Sequence, residues 1–145
     1  MKDVKTFADT NILIYAFTND DEDKKEIVLS ALDDSLPVIS TQVLKELAHV
    51  FIKKKSVKPS VIREMLFKII DITDIVNENV DLTLNALDIH EKYSFSFYDS
   101  LIVAAAISSD CEILLSEDMQ HNQTIEGKMK IVNPFKNIAN NKKQK

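Results

Sequence analysis

The stretch Val4 to Asn11, V-K-T-F-A-D-T-N, runs directly into I-L-I-Y-A-F ending at Phe17, and its reading decides the fold. Strand-favouring residues lead to a carboxylate, Asp9, then to two small polar side chains, then to an apolar helix-like run. A strand that stops at an acid and turns into a helix opens a β-α unit. In an open parallel sheet, ligands bind outside the carboxyl ends of the strands, which makes Asp9 a site candidate by position. Asp and Thr are also good helix N-caps. This stretch alone leaves both roles open.

Outward from it, the same alternation repeats. A second helix begins at Asp20, where the acids Asp20 to Asp23 suit the positive end of a helix and need no metal to explain them. Pro37 to Ser40 reads as a short buried strand, and Ser40 or Thr41 caps a helix over Gln42 to Lys54. On that helix Val43, Leu44, Leu47, Ala48, Val50 and Phe51 share one arc, with Glu46 just beyond its edge at the seam between core and solvent. Pro59 starts the next helix, Ser60 to Asp71, and Ile72 to Val76 reads as a third strand. Asn79 to Tyr93 is expected to be helical, with Val80, Leu84, Leu87 and Ile89 on its buried face and His90 as a surface or packing residue. Phe97 to Ser109 is the most apolar helix, and its only charge, Asp99, lies in the first turn, to cap the helix or to serve a site. Glu112 to Leu115 and Lys130 to Val132 complete the strands. Strands alternating with helices argue for an α/β fold with a mostly parallel sheet.

Composition narrows the chemistry. The 145 residues are 45% hydrophobic and 28% charged, which suits one globular domain with a real core. No apolar run approaches the ~20 residues of a bilayer span, and the start M-K-D-V-K-T lacks a signal peptide's apolar core; a cytoplasmic location is the expectation. The one cysteine, Cys111, rules out an intramolecular disulfide framework and reads as a core residue. The one glycine, Gly127, rules out glycine-loop nucleotide sites. Metal-based phosphate chemistry needs carboxylates instead, and remains. The net charge of -5 opposes bulk attraction to nucleic acid, although Lys53, Lys54, Lys55 and Lys58 form a local basic cluster that reads either as a solvated helix end complementing the dipole or as a patch for RNA phosphates. The end of the chain, residues 136–145, reads as a flexible basic tail after a domain of residues 1–135.

If the first and fourth strands lie side by side at the centre, Asp9 and Asp118 share one crevice, with Asp99 and Glu46 on helices that meet the same sheet edge. Clustered carboxylates raise one another's pKa values unless a cation compensates them. A hard divalent ion such as Mg²⁺ or Mn²⁺ takes oxygen ligands and retains waters. Such a site suits phosphodiester hydrolysis.

Four motifs in order, F-A-D-T-N-I-L-I-Y-A around Asp9, I-S-T-Q-V-L-K-E-L around Glu46, F-S-F-Y-D-S-L-I-V-A-A-A around Asp99 and I-L-L-S-E-D-M-Q-H around Asp118, resemble the PIN domain family. Among its members they are most similar to VapC-type toxins of bacterial toxin–antitoxin pairs. The resemblance runs from about Lys2 to Phe135. It implies a three-layer α/β/α sandwich, Mg²⁺- or Mn²⁺-dependent endoribonuclease activity, a homodimer and a cognate antitoxin. It further implies that Asp9, Asp99 and Asp118 bind metal, that Glu46 binds metal or activates water, and that Asn11 and Ser116 orient the carboxylates. Ser116 departs mildly from the family's frequent threonine. His121 reads as a surface residue, and Glu117 as an additional acid at the site's margin or a solvated one. The rival readings are a metal-dependent phosphatase, weakened by Asn11 where such enzymes carry a second acid, and a non-catalytic RNA-binding or scaffold domain.

Overall fold

The computed structural model describes residues 4–136. Its strands are β1 (Lys5–Ala8), β2 (Leu36–Ser40), β3 (Asp74–Val76), β4 (Ile113–Leu115), β5 (Thr124–Ile125) and β6 (Met129–Val132). Its helices are α1 (Thr10–Phe17), α2 (Glu22–Asp33), α3 (Thr41–Lys53), α4 (Pro59–Ile72), α5 (Val80–Tyr93) and α6 (Phe97–Ser108). The strands form one sheet in the order β3-β2-β1-β4-β6-β5, parallel except for β5. The fold is the mostly parallel α/β arrangement that the alternation of elements implied.

The topology itself locates a crevice. The connections β1 to β2 and β2 to β3 step one way along the sheet, whereas β4 returns to the other side of β1. Right-handed crossovers then put α1 to α4 on one face and α5 and α6 on the other, in keeping with the α1–α2, α1–α3, α3–α4 and α5–α6 packing. The order reverses between β1 and β4, so their carboxyl ends flank a switch-point crevice. Phe7 pairs with Val38 on one side and Leu114 on the other, and all three are buried.

Helix boundaries follow local chemistry. Asp21, Ser40, Asn79 and Ser96 cap α2, α3, α5 and α6 by accepting from Lys24 N, Val43 N, Leu82 N and Asp99 N. Proline at N1 starts α4 without a side-chain cap. In α6, the run Ser100 to Ala106 is buried without a break. Its alanines let the helix backbone lie close to its neighbours, and burying Ile102 and Val103 stabilises the fold by ~1.5–3 kcal/mol each.

One expectation needs correction, and one element was not foreseen. Val80, Leu84 and Leu87 are not on the buried face of α5; they are 75%, 55% and 49% exposed. The inward stripe is Leu82, Ala86 and Ile89, spaced four and three residues apart, and α5 packs against α6. The helix carries two apolar stripes, and small Ala86 suits close approach to the alanine-rich α6 better than a row of bulky side chains. The sequence also gave no sign of β5. It pairs antiparallel with β6 across a turn in which Glu126 and Gly127 stand at φ 54° and 64°. A Cβ on Gly127 would meet nothing within 4 Å, so glycine is favoured there by its backbone angle and not by crowding. Cys111 is buried, as read. Among the described residues no helix is long and apolar enough to cross a membrane. The expected tail over residues 136–145 lies outside the described residues except for Lys136.

Candidate active site

Asp9 ends β1 and precedes α1, at the carboxyl edge of the central strand. It caps α1 and also faces the crevice: its Oδ1 accepts from Thr10 N at 2.7 Å, and its Oδ2 accepts from Ser116 Oγ at 3.2 Å. Ser116 follows β4, so this bond joins the ends of the two strands at the switch point. Asp9 is only 9% exposed. Burial is the main reason its pKa is raised to about 6, and the charges of Asp99 and Glu46 raise it further, against the opposing bonds from Thr10 and Ser116.

Asp99 lies in the first turn of α6 but does not cap it, because Ser96 Oγ takes that role. Its half-buried carboxyl is raised above the ordinary value by desolvation, opposed by Ser96 and reinforced by the charge of Asp118. Asp118, exposed at the mouth, accepts from Asn11 Nδ2 at 2.6 Å. Glu46 is half-buried at the α3 seam, and Gln42, one turn before it, donates from Nε2 to its Oε1 at 2.6 Å. Charge effects link the four acids in pairs: Asp9 with Asp99 and Glu46, and Asp99 with Asp118.

Among the described residues, no three His, Cys, Asp or Glu side chains are already gathered as a metal-holding set. The donor set nonetheless fits a hard divalent ion: it is all oxygen, and Asp9, raised to about 6 chiefly by burial and further by the charges of Asp99 and Glu46, would be relieved by a neighbouring cation.

Several polar residues that periodicity could not single out support the acids. Gln42 is 8% exposed, reaches Tyr98 O at 3.4 Å as well as Glu46, and keeps an Oε1 with no hydrogen-bond partner. Its four-residue spacing from Glu46 on α3 was the available signal. Glu117 is neither a site acid nor a solvated one, since it bonds to Tyr15 Oη and Lys24 Nζ. His121 Nδ1 accepts from Asn133 N at 2.9 Å, a packing role. Exposed His90 has its Nδ1 against Phe95 O. Lys53, Lys54, Lys55 and Lys58 are exposed at and beyond the C-terminal end of α3, with Lys55 paired to Asp20. Lys53 lies about 10 Å further along the helix axis than Glu46.

Ser116→Ala removes a hydroxyl that favours the charged form of Asp9, so the Asp9 pKa should rise further. Mn²⁺ binding, followed by titration calorimetry at pH 7, is expected to weaken roughly tenfold; unchanged affinity would show that this bond does not tune the site.

A family model described as PIN domain matches residues 6–126. No curated protein sequence matches the chain. Among solved structures, a toxin–antitoxin complex from Klebsiella pneumoniae is similar at TM-score 0.67 and 21% identity, over 89% of this chain and 97% of that one. VapBC2 from Rickettsia felis, bound to a DNA fragment from its promoter, gives TM-score 0.66 and 18% identity, over 90% and 98%. VapC20 of Mycobacterium tuberculosis, a Sarcin-Ricin loop cleaving toxin, gives 0.63 and 13%, over 78% and 91%.

Proposed function

Because the chain belongs to the PIN domain family, we propose that it is a divalent-metal-dependent endoribonuclease of the VapC type, the toxin of a toxin–antitoxin pair. The observation that carries this reading is the set of four acids at the β1–β4 switch point, with Asp9 raised to about 6 by burial and its acidic neighbours. RNA as the substrate, and an antitoxin as the partner, rest on the likeness to the toxin–antitoxin structures.

Asp9, Asp99 and Asp118 would hold the cation, with Glu46 at its flank; Mg²⁺ or Mn²⁺ is the choice that oxygen ligands favour. When bound, the ion supplies a water of lowered pKa and positive charge opposite the scissile phosphate. Ser116 and Thr10 fix both oxygens of Asp9, and Asn11 fixes one of Asp118. Gln42 occupies Glu46 Oε1, leaving Oε2 free to take a proton from a water at the site. Hydrolysis would add the elements of that water across one P–O bond, the proton left on Glu46 being balanced by one that the leaving oxygen takes from solvent. Lys53, Lys54 and Lys58 offer charge to flanking phosphates, while Lys55 is already engaged by Asp20.

Apolar surface is present for protein partners. A groove of ≈ 390 Å³ between α3 and α4 is lined by Ala48, Ile52, Ile62, Leu66, Phe67 and Ile70, and Val80, Leu84 and Leu87 form a second exposed stripe. We assign these surfaces to an antitoxin and to a second copy of the chain in a homodimer, in a protein expected in the cytoplasm.

The test is cleavage of a mixed RNA panel by the purified protein in Mn²⁺, in chelator, and with Asp99→Asn as the control. Cutting confined to wild type in Mn²⁺ is the expected result. Cutting that persists in chelator or in the variant would defeat the reading.

A further inference from the structure

Ser116, Glu117 and Asp118 follow one another on the turn after β4, and each is tied to a different anchor. Ser116 bonds to Asp9, Asp118 to Asn11, and Glu117 to Tyr15 and Lys24. Asn11 and Tyr15 are four residues apart on α1, so one face of that helix receives both ends of the Glu117–Asp118 pair. Lys24 closes the arrangement from α2. Its Nζ donates to Glu117 Oε2 and, at 3.3 Å, to Tyr15 Oη, and it lies 4.9 Å from the ring centres of both Tyr15 and Phe135. The Tyr15 and Phe135 rings meet edge to face at 5.3 Å. The Lys24 and Glu117 side chains are 28% and 25% exposed, so the pair is largely shielded from water. Lys24 sits in the first turn of α2, where the helix dipole disfavours a cation. Glu117, together with the two aromatic faces, compensates for that placement.

We propose that Lys24 and Tyr15 are positioning residues: by gripping Glu117 they hold the Ser116–Asp118 turn against α1, so that Asp118 and the Ser116 bond to Asp9 stay in register with the other acids. The inference rests on the metal-site reading above. The grip also keeps Glu117 directed towards α1 and α2, away from the crevice.

The decisive variant carries Lys24→Met and Glu117→Gln together, which removes the ion pair without changing net charge and leaves only the Tyr15 hydroxyl to reach residue 117. Three quantities are read at a temperature where circular dichroism shows the same folded fraction as wild type. In chelator, amide exchange at Met119, whose N–H donates to Ser116 Oγ, should be faster. Mn²⁺ affinity should fall roughly tenfold, and kcat on a cleavable RNA should fall about 10- to 100-fold with KM changed far less. Tyr15→Phe should move all three in the same direction by less. Lys24→Arg alone, which keeps charge and donors, should leave all three much closer to wild type than the paired variant does. A folded paired variant with wild-type exchange, Mn²⁺ affinity and kcat would overturn the proposal, as would losses that only track the unfolded fraction. If wild type binds Mn²⁺ but cuts no RNA, the nuclease reading fails while exchange and affinity still decide the grip.

Discussion

Asp9→Asn is expected to reduce RNA cleavage to background and, in chelator at pH 7.5, to make the protein more stable than wild type. The two effects have one cause. Asp9 is buried, and its pKa rises from 3.8 to about 6, so the folded protein holds an unfavourable charge at neutral pH. At 1.36 kcal/mol per unit, that charge costs up to about 3 kcal/mol. Asparagine has nearly the same shape, and its Oδ1 can still accept from Thr10 N. Its Nδ2 would have to donate to Ser116 Oγ, which already accepts from Met119 N, so part of the gain is lost. A net gain of about 1–3 kcal/mol should raise the melting temperature by roughly 2–10 °C for a chain of this size. Equal or lower stability of the variant in chelator would contradict the account of Asp9 as a strained acid awaiting a cation.

The second large effect joins metal to pH. Asp9 has a folded pKa above its unfolded one, so between about 3.8 and 6 the folded state keeps a proton that the unfolded state has released. Stability from this group therefore falls as pH rises through that window, and the penalty is complete above it. The stability gap between Asp9→Asn and wild type in chelator should open from about pH 4 and level off beyond about pH 6–7. Saturating Mn²⁺ acts against the same penalty. At a hundred times its dissociation constant it adds ~2.7 kcal/mol by mass action. At pH 5 the proton on Asp9 competes, lowering apparent Mn²⁺ affinity about tenfold, ~1.4 kcal/mol. Thermal melts across pH, with and without Mn²⁺, read both trends. A Mn²⁺ shift of the same size at pH 5 and pH 7.5 would remove Asp9 from the binding site.

The elements that bear the acids were legible because each breaks a local pattern. Asp9 ends an apolar strand, Asp99 is the only charge on an apolar helix, and Glu46 sits at the border of an amphipathic arc. The side-by-side placing of β1 and β4 was a condition that the repeated strand-then-acid units did not themselves establish, and it holds in the sheet. What stayed hidden depends on contacts between distant segments. Periodicity alone could not choose between the two stripes of α5, since packing against α6 makes that choice. Gln42, Tyr15 and Lys24 look ordinary on their own helices and acquire roles only when Glu46, Tyr98 and Glu117 are brought to them. β5 is two residues long, too short for any alternation to show.

The position of β1 also sets an order in time. Asp9 leaves the ribosome well before the hydroxyl that bonds to it, which is 107 residues further along the chain. Until β4 is synthesised, β1 has β2 on one side and an unpaired edge on the other. At ~5–20 residues per second that interval lasts about 5–20 s. During it the nascent chain lacks the strand and turn that complete its crevice, so Asp9 and the acids that follow β4 come together only after that interval.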